Sequence, residues 1–200
     1  LDATLSYWTH VEIALAKARH HVGLISDDAI AEITALRPPD SQSDILLTRS
    51  QLVGYPIIAL VELLNMSLDE QHRGVLHLGA TTQDIMDTAL VLQVRDVEKI
   101  IDAHLVQCGD ALALLVEKHA KSVMAGRTHA QVAVPTTFGL KMAVFLDQLS
   151  RTLDEFRKAC ADSAVLSLHG AAGTSAALGS RSSEIRAHCA QSLGLRVEET

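Results

Sequence analysis

Apolar residues recur along the first third of the chain at intervals of three and four, the period of a helix with one face turned inward. Leu5, Trp8, Val11, Leu15, Ala18 and Val22 form such a stripe, and Gly23 stops it. Ser26 is placed to cap a second helix that runs into Leu36. Pro38-Pro39 end it, because proline lacks the N–H donor and restricts the residue before it. Arg37 to Ser43 reads as a loop. Ser43 caps a third predicted helix that stops near Gly54, and Pro56 suits the first turn of a fourth, ending near Ser67. From Leu68 to Ala80 the periodicity is lost.

Beyond residue 80 the pattern lengthens. Leu90, Val94, Val97, Ile101, His104, Cys108, Ala111 and Leu115 alternate steps of four and three. That is the seam of a long helix packed nearly parallel to others. It runs from about Thr82 to about His119, and at ~1.5 Å per residue it spans roughly 55 Å. A helix of that length cannot bury its seam inside a monomer of 200 residues, so a bundle and an oligomer are expected. A second long helix is predicted from near Pro135 past Arg151 towards Ala161. A glycine-rich turn follows at Gly170 to Thr174, then a last helix from Ser182 to Leu193, ended by Gly194. The expected organisation is a small helical domain over residues 1–80 and part of a long-helix bundle over 81–200.

Composition supports an all-α fold. Alanine and leucine supply 56 of the 200 residues and aromatic residues only 3%. The first two are top helix formers, whereas strands favour β-branched and aromatic side chains, so a β-sandwich or barrel is excluded. The net charge of −7 excludes a basic nucleic-acid surface. It leaves room for an anionic substrate at a locally positive site. Cys108, Cys160 and Cys189 are odd in number and widely spaced, which points to a reducing compartment, the cytoplasm, rather than a disulfide framework. Leu52 to Val61, the longest apolar stretch, is far too short for a membrane span. No signal peptide is visible. The chain begins Leu1-Asp2 and ends Glu198-Glu199-Thr200, and it is expected to be a piece of a longer protein.

Three loops carry candidate chemistry, each ahead of a helix. In His77-Leu78-Gly79-Ala80-Thr81-Thr82-Gln83-Asp84, Thr81 and Asp84 have the spacing of a capping box with Asp in the Glu position. Free N–H groups at a helix start, with two hydroxyls beside them, suit a carboxylate. Simple capping of a long helix explains the same residues. The second loop, Gly126-Arg127-Thr128-His129-Ala130-Gln131, leads through Val134-Pro135-Thr136-Thr137-Phe138-Gly139. It groups a cation, hydroxyls, an imidazole and an amide. His129 can act as a general acid or base, or be an ordinary hydrogen-bonded loop histidine. The third loop, His169-Gly170-Ala171-Ala172-Gly173-Thr174-Ser175-Ala176, lets backbone approach a ligand or a neighbouring helix. His20-His21 sit at a helix end, where positive charge suits the dipole. His104 reads as a packing residue of the seam. There is no HExxH, no Cys/His ligand spacing, no GxGxxG, no GxxxxGK[ST] and no GxSxG, so no metal, nucleotide cofactor or α/β-hydrolase site is supported.

These loops, in this order and on these helices, resemble the fumarase/aspartase superfamily over nearly the whole chain. His77 to Thr88 is similar to the family's first conserved region and Gly126 to Gly139 to its second. The runs Asp87 to Asp96, Gly170 to Thr174 and Ala176 to Gly179 most resemble its cycloisomerase and adenylosuccinate lyase branch. The resemblance implies an L-aspartase-like helical fold. It also implies removal of a proton α to a carboxylate and departure of a group from the β carbon, or the related internal lactonisation. It further implies a homotetramer whose active sites draw on three subunits, a small carboxylate substrate, and no cofactor, metal, nucleic-acid or membrane partner. By that resemblance Thr81 and Thr82 bind a substrate carboxylate, Thr128 and His129 are the catalytic pair with His129 as acid, and Gln131 contacts substrate. The family's third region, a serine-bearing GSSxMPxKxN loop that supplies the base, does not occur in this chain, which alone is expected to be inactive. Cycloisomerases commonly have tryptophan where this chain has His129, and Tyr55 stands where the family often has Asn or His. The reading from outside this class is a helical assembly domain without catalysis. It requires that Thr81, Thr82 and His129 lie apart and tolerate alanine.

Overall fold

The computed structural model describes residues 1–198 and is helical throughout its main elements. Seven α-helices follow in order: α1 (Asp2–His21), α2 (Asp27–Ala35), α3 (Asp44–Val53), α4 (Pro56–Met66), α5 (Thr82–Lys118), α6 (Phe138–Ser163) and α7 (Ser182–Leu193). Between α5 and α6 lie two strands, β1 (Val123–Thr128) and β2 (Gln131–Thr137).

The chain divides into two compact units. One holds Leu1–Gln93 together with the chain from Ala164 onward, and the other holds Val94–Ser163. The sequence reading places a domain boundary near residue 80, between 1–80 and 81–200. Within this chain the compact division falls inside α5.

In the first unit, α1 packs against α7 and α2, and α3 pairs with α4. Their apolar faces meet in one core. Leu5, Leu15, Ile33, Ile57, Leu60, Leu166 and Ile185 are all fully buried there. The first turns of α5 enter the same core through Ile85, Ala89 and Leu92. Helix ends follow the local chemistry. The Ser26 hydroxyl accepts the Ala29 N–H at the start of α2. Gly54 closes α3 in the left-handed conformation, Pro56 opens α4, and Gly194 closes α7. Ser43 occupies the cap position of α3, but its side chain makes no capping bond.

In the second unit, the stretch after α5 is not the simple loop expected from sequence. β1 and β2 form an antiparallel hairpin in which Val123 pairs with Thr137 and Thr128 with Gln131. Pro135 therefore sits in a strand, opposite Ala125, and α6 begins three residues later than expected, at Phe138. Each strand of a two-stranded ribbon has one open edge, and proline is tolerated where its nitrogen faces that edge. The register shifts between Ala125 and Arg127 at Gly126, where a Cβ would stand 2.7 Å from the Val134 carbonyl oxygen. Two residues of β2, Ala133 and Val134, there oppose the single Gly126 of β1, and the missing Cβ leaves room for the Val134 carbonyl. Along α6, Met142, Leu146, Leu149, Leu153, Phe156 and Cys160 form the half-buried stripe. Gly109 of α5 lies against Leu146 and Leu149, and Arg157 of α6 grips Asp102 of α5 through two hydrogen bonds.

Candidate functional site

Two sets of candidate residues emerge, each fixed within its own unit. Thr81 and Thr82 belong to the first unit, at the start of α5, and both are half-buried. The expected capping box forms by half. The Thr81 N–H donates to Asp84 Oδ2 at 2.9 Å, as a Glu at that position would accept it. Asp84 is buried, and its carboxylate does more than cap. Oδ1 accepts the His169 N–H at 3.0 Å, and Oδ2 also accepts the Gly170 N–H at 2.9 Å. One turn further on, the Thr88 hydroxyl donates to the Ser167 carbonyl and accepts its N–H. These bonds lock the first loop to the third. Gly79 (φ +86°) shows how tightly, because a Cβ there would meet Leu178 Cδ2 at 2.6 Å.

The far side of the first loop is held by α1. Arg19 donates to the Leu78 carbonyl at 2.8 Å, and burial lowers its guanidinium below the ordinary value. His77 is held twice by Glu12. Its N–H donates to Oε2 at 3.1 Å, and its ring Nδ1 lies 2.6 Å from Oε1. Burial pushes the His77 imidazole down, but the bond to Glu12, the charge of Glu12 and the charge of Asp84 outweigh it. The net shift is upward.

The second set crowns the hairpin. His129 and Ala130 form its two-residue turn, both with positive φ (47° and 62°), as a turn matching the twist of the strands requires. Thr128 and Gln131 are cross-strand partners flanking that turn, so their side chains share one face. Thr128, His129 and Gln131 are all exposed. The structure thus gathers Thr128, His129 and Gln131 at one tip, and places Thr81 beside Thr82 at one helix start.

Backbone strain marks the same places. Among the described residues the non-glycine positions with positive φ are His77, His129, Ala130 and Ser175. They fall one loop after another in the three stretches singled out from sequence. Such strain persists only where the surroundings enforce it, and it gathers at functional sites.

Glu12 and its pairing with His77 were missed by sequence reasoning, which named His77 only as the start of the first loop. The available signal was a charged residue in phase with the apolar stripe, since Glu12 falls between Trp8 and Leu15 at steps of four and three. His104, expected to pack, is exposed within this chain. Burial pushes the Cys189 thiol up to about 12, which rules it out as a nucleophile at neutral pH. Among the described residues no group of three or more His, Cys, Asp and Glu could hold a metal ion. No helix among them is long and apolar enough to cross a membrane.

Comparison with known proteins identifies the family of the chain. Residues 7–199 match the lyase family, and the chain belongs to that family, within the fumarase/aspartase superfamily. A 3-carboxy-cis,cis-muconate cycloisomerase of Pseudomonas aeruginosa is 35% identical over 192 residues, which cover 94% of this chain and 42% of that protein. An adenylosuccinate lyase of Methanocaldococcus jannaschii is 34% identical over 189 residues, 92% of this chain and 40% of the relative. The crystal structure of 3-carboxy-cis,cis-muconate lactonizing enzyme from Pseudomonas putida superposes with a TM-score of 0.93 at 34% identity, covering 100% of this chain and 46% of that one. The chain spans about two-fifths of the length of these curated relatives.

Proposed function

We propose that the full-length protein is an enzyme acting on a di- or tricarboxylate, most like 3-carboxy-cis,cis-muconate cycloisomerase. A proton α to a carboxylate is removed, and a bond at the β carbon is broken or made. Likeness to a cycloisomerase along 94% of the chain supports this choice of substrate class. Thr81 and Thr82, beside the N-terminus of α5, bind a substrate carboxylate through hydroxyls and helix-start N–H groups. Thr128, His129 and Gln131 are presented together, His129 to move a proton and Gln131 to contact substrate. The base is assigned to no residue of this chain. The substrate is a small carboxylate, no cofactor is required, and the protein works in the cytoplasm. A homotetramer brings the two sets of residues into shared sites. What supports assembly is the seam of α5, whose Leu90, Val94, Val97 and Ile101 are exposed within the single chain.

A second reading, an adenylosuccinate lyase-like C–N lyase, is favoured by one observation, the exposed imidazole of His129 at the hairpin tip. An amine leaving group needs a proton donor, whereas internal lactonisation expels no such group. The full-length protein and its His129→Gln and His129→Trp variants should be assayed in parallel on 3-carboxymuconate and adenylosuccinate. A cycloisomerase keeps most lactonising activity in His129→Trp and releases no fumarate from adenylosuccinate. Adenylosuccinate cleavage that falls by about 10²–10⁴ in His129→Gln, mainly in kcat, replaces the first reading with the second.

A further inference from the structure

We propose that a furrow along the outer face of α1 is a second binding site, separate from the three loops, and that it takes a small phosphate monoester. The phosphoryl group sits beside Lys17 and Ser192, and the organic part lies against Ile13, Leu36 and Pro38.

Beyond its first turn, α1 leaves only Ser6, His10, Lys17 and His21 exposed, at steps of four and seven along one stripe of the helix. Glu12 and Arg19, which hold the first loop, lie roughly 150° away round the helix at about 100° per residue. The furrow and the first loop are therefore on opposite sides of α1. Two cavities open along the exposed stripe. One, of about 270 Å³, reaches from α1 to the end of α2, with Ser6, His10, Ile13, Leu36 and Pro38 in its wall. The other, of about 230 Å³, reaches from α1 to α7, with His21, His188 and Gln191 in its wall. Lys17 and Ser192 line both, so the two form one continuous furrow.

The chemistry of the lining is one-sided. The chain has 24 acidic residues against 17 Lys and Arg, yet among the described residues no carboxylate lines either cavity. Every polar side chain there is of a type that can donate a hydrogen bond. Thr9 and Thr34 give their hydroxyl protons to the Leu5 and Ala31 carbonyls. The side chains of Ser6, Lys17 and Ser192 make no hydrogen bond or ion pair among the described residues. The rings of His21 and His188 lie against each other with centroids 3.4 Å apart, which fixes both at one end of the furrow. Glu184 is an acid close enough for its carboxylate to feel both rings, and Arg181 neutralises it through two hydrogen bonds.

Carbonyl ends of helices repel anions, and those of α1, α2 and α7 lie beside the furrow. All three are closed. Arg37 donates to the Ala35 and Leu36 carbonyls at the end of α2 and adds a positive charge there. The last carbonyls of α1 accept the N–H groups of Val22, Gly23 and Leu24, and those of α7 accept the N–H groups of Gly194 and Leu195.

These features select a phosphoryl group. Lysine holds phosphate as a compact point charge. A phosphate monoester carries roughly −1.5 to −2 charges and three acceptor oxygens aimed in different directions, which suit donors spread over α1 and α7. A flat carboxylate offers its acceptors in one plane. Ile13, Leu36 and Pro38 supply an apolar wall for a short carbon chain.

Inorganic phosphate, glycerol 3-phosphate and fumarate are titrated separately into the full-length protein at neutral pH and followed by calorimetry. Glycerol 3-phosphate should bind more tightly than inorganic phosphate and should raise hydrogen-exchange protection in α1 and α7. Lys17→Met should weaken it about tenfold or more, the scale of one hydrogen bond to a charged group. Lys17→Arg, which keeps the charge, should restore part of that loss. Lys17 is exposed, so its replacement leaves the core intact. Lys158→Met, on the exposed face of α6, should bind as wild type does, and fumarate should bind Lys17→Met as it binds wild type. Absence of glycerol 3-phosphate binding by wild type overturns the proposal. So does wild-type affinity in Lys17→Met, equal weakening in Lys158→Met, or displacement of glycerol 3-phosphate by fumarate. The reading of the catalytic loops is untouched by these outcomes, because it stands or falls on the assays with 3-carboxymuconate and adenylosuccinate.

Discussion

The two compact units differ in how they treat apolar surface. The first unit closes a core in which Leu5, Ile33, Ile57, Leu60, Ile85 and Ile185 lose all contact with solvent. Within Val94–Ser163, Gly139 is the one buried residue. Val97, Leu114, Val123, Val132 and Val134 there are all at least half exposed. One helix shows the contrast by itself. On α5 the first apolar positions, Ile85, Ala89 and Leu92, are buried, while the seam from Leu90 through Val94, Val97 and Ile101 stands open. The first unit has the burial that folding requires. The second carries more apolar surface than a lone chain in water sustains without another surface to cover it.

The strongest way to break this comparison is to charge the open seam. Val97→Glu with Ile101→Glu should leave the first unit's core untouched. In an assembly that covers this seam, each unpaired buried carboxylate costs several kcal/mol, enough to abolish association. Sedimentation of the full-length protein should change from an oligomer to a monomer. An unchanged oligomer means that the seam is not the assembly surface.

Next in size is the loss of buried apolar volume. Ile85→Ala removes a fully buried side chain and should cost about 2–5 kcal/mol, read from urea unfolding. Val97→Ala, on the same helix but 51% exposed, should cost under about 0.5 kcal/mol in a dissociated chain. Equal losses at the two positions would erase the difference between the units.

Much of this was legible in the sequence, for reasons particular to each element. Ser26, Gly54, Pro56 and Gly194 act through local backbone chemistry, so they set helix ends wherever they stand. The seam of α5 was visible because its period is regular over many turns. The hairpin escapes this reading because Pro135 also suits a helix start, although Val123, Val132, Val134, Thr136 and Thr137 are β-branched. At the candidate site, Thr81, Thr82 and His129 could be named from their loops. Asp84's bonds to His169 and Gly170 could not, because those partners lie 85 and 86 residues away. Glu12 and His77, 65 residues apart, are joined only by tertiary packing.

The finest test uses one local interaction that occurs in both units. The Ser26 hydroxyl accepts the Ala29 N–H at the start of α2, and the Thr137 hydroxyl accepts the Leu140 N–H at the start of α6. Each bond joins a cap residue to the N–H three residues on, so Ser26→Ala and Thr137→Ala should each cost about 1 kcal/mol. What should differ is where the loss is felt. If the closed core makes the first unit cooperative on its own, Ser26→Ala lowers hydrogen-exchange protection in α1 and α4 as well as α2, and leaves α6 as it was. Thr137→Ala should lower protection in α6 and the hairpin alone. Covering the seam by assembly would tie the second unit's opening to dissociation, so the Thr137→Ala effect should shrink as protein concentration rises, while that of Ser26→Ala stays constant. Equal loss of protection in α1 and α6 from either variant would show a single cooperative unit, and the contrast drawn from burial would then carry no thermodynamic meaning.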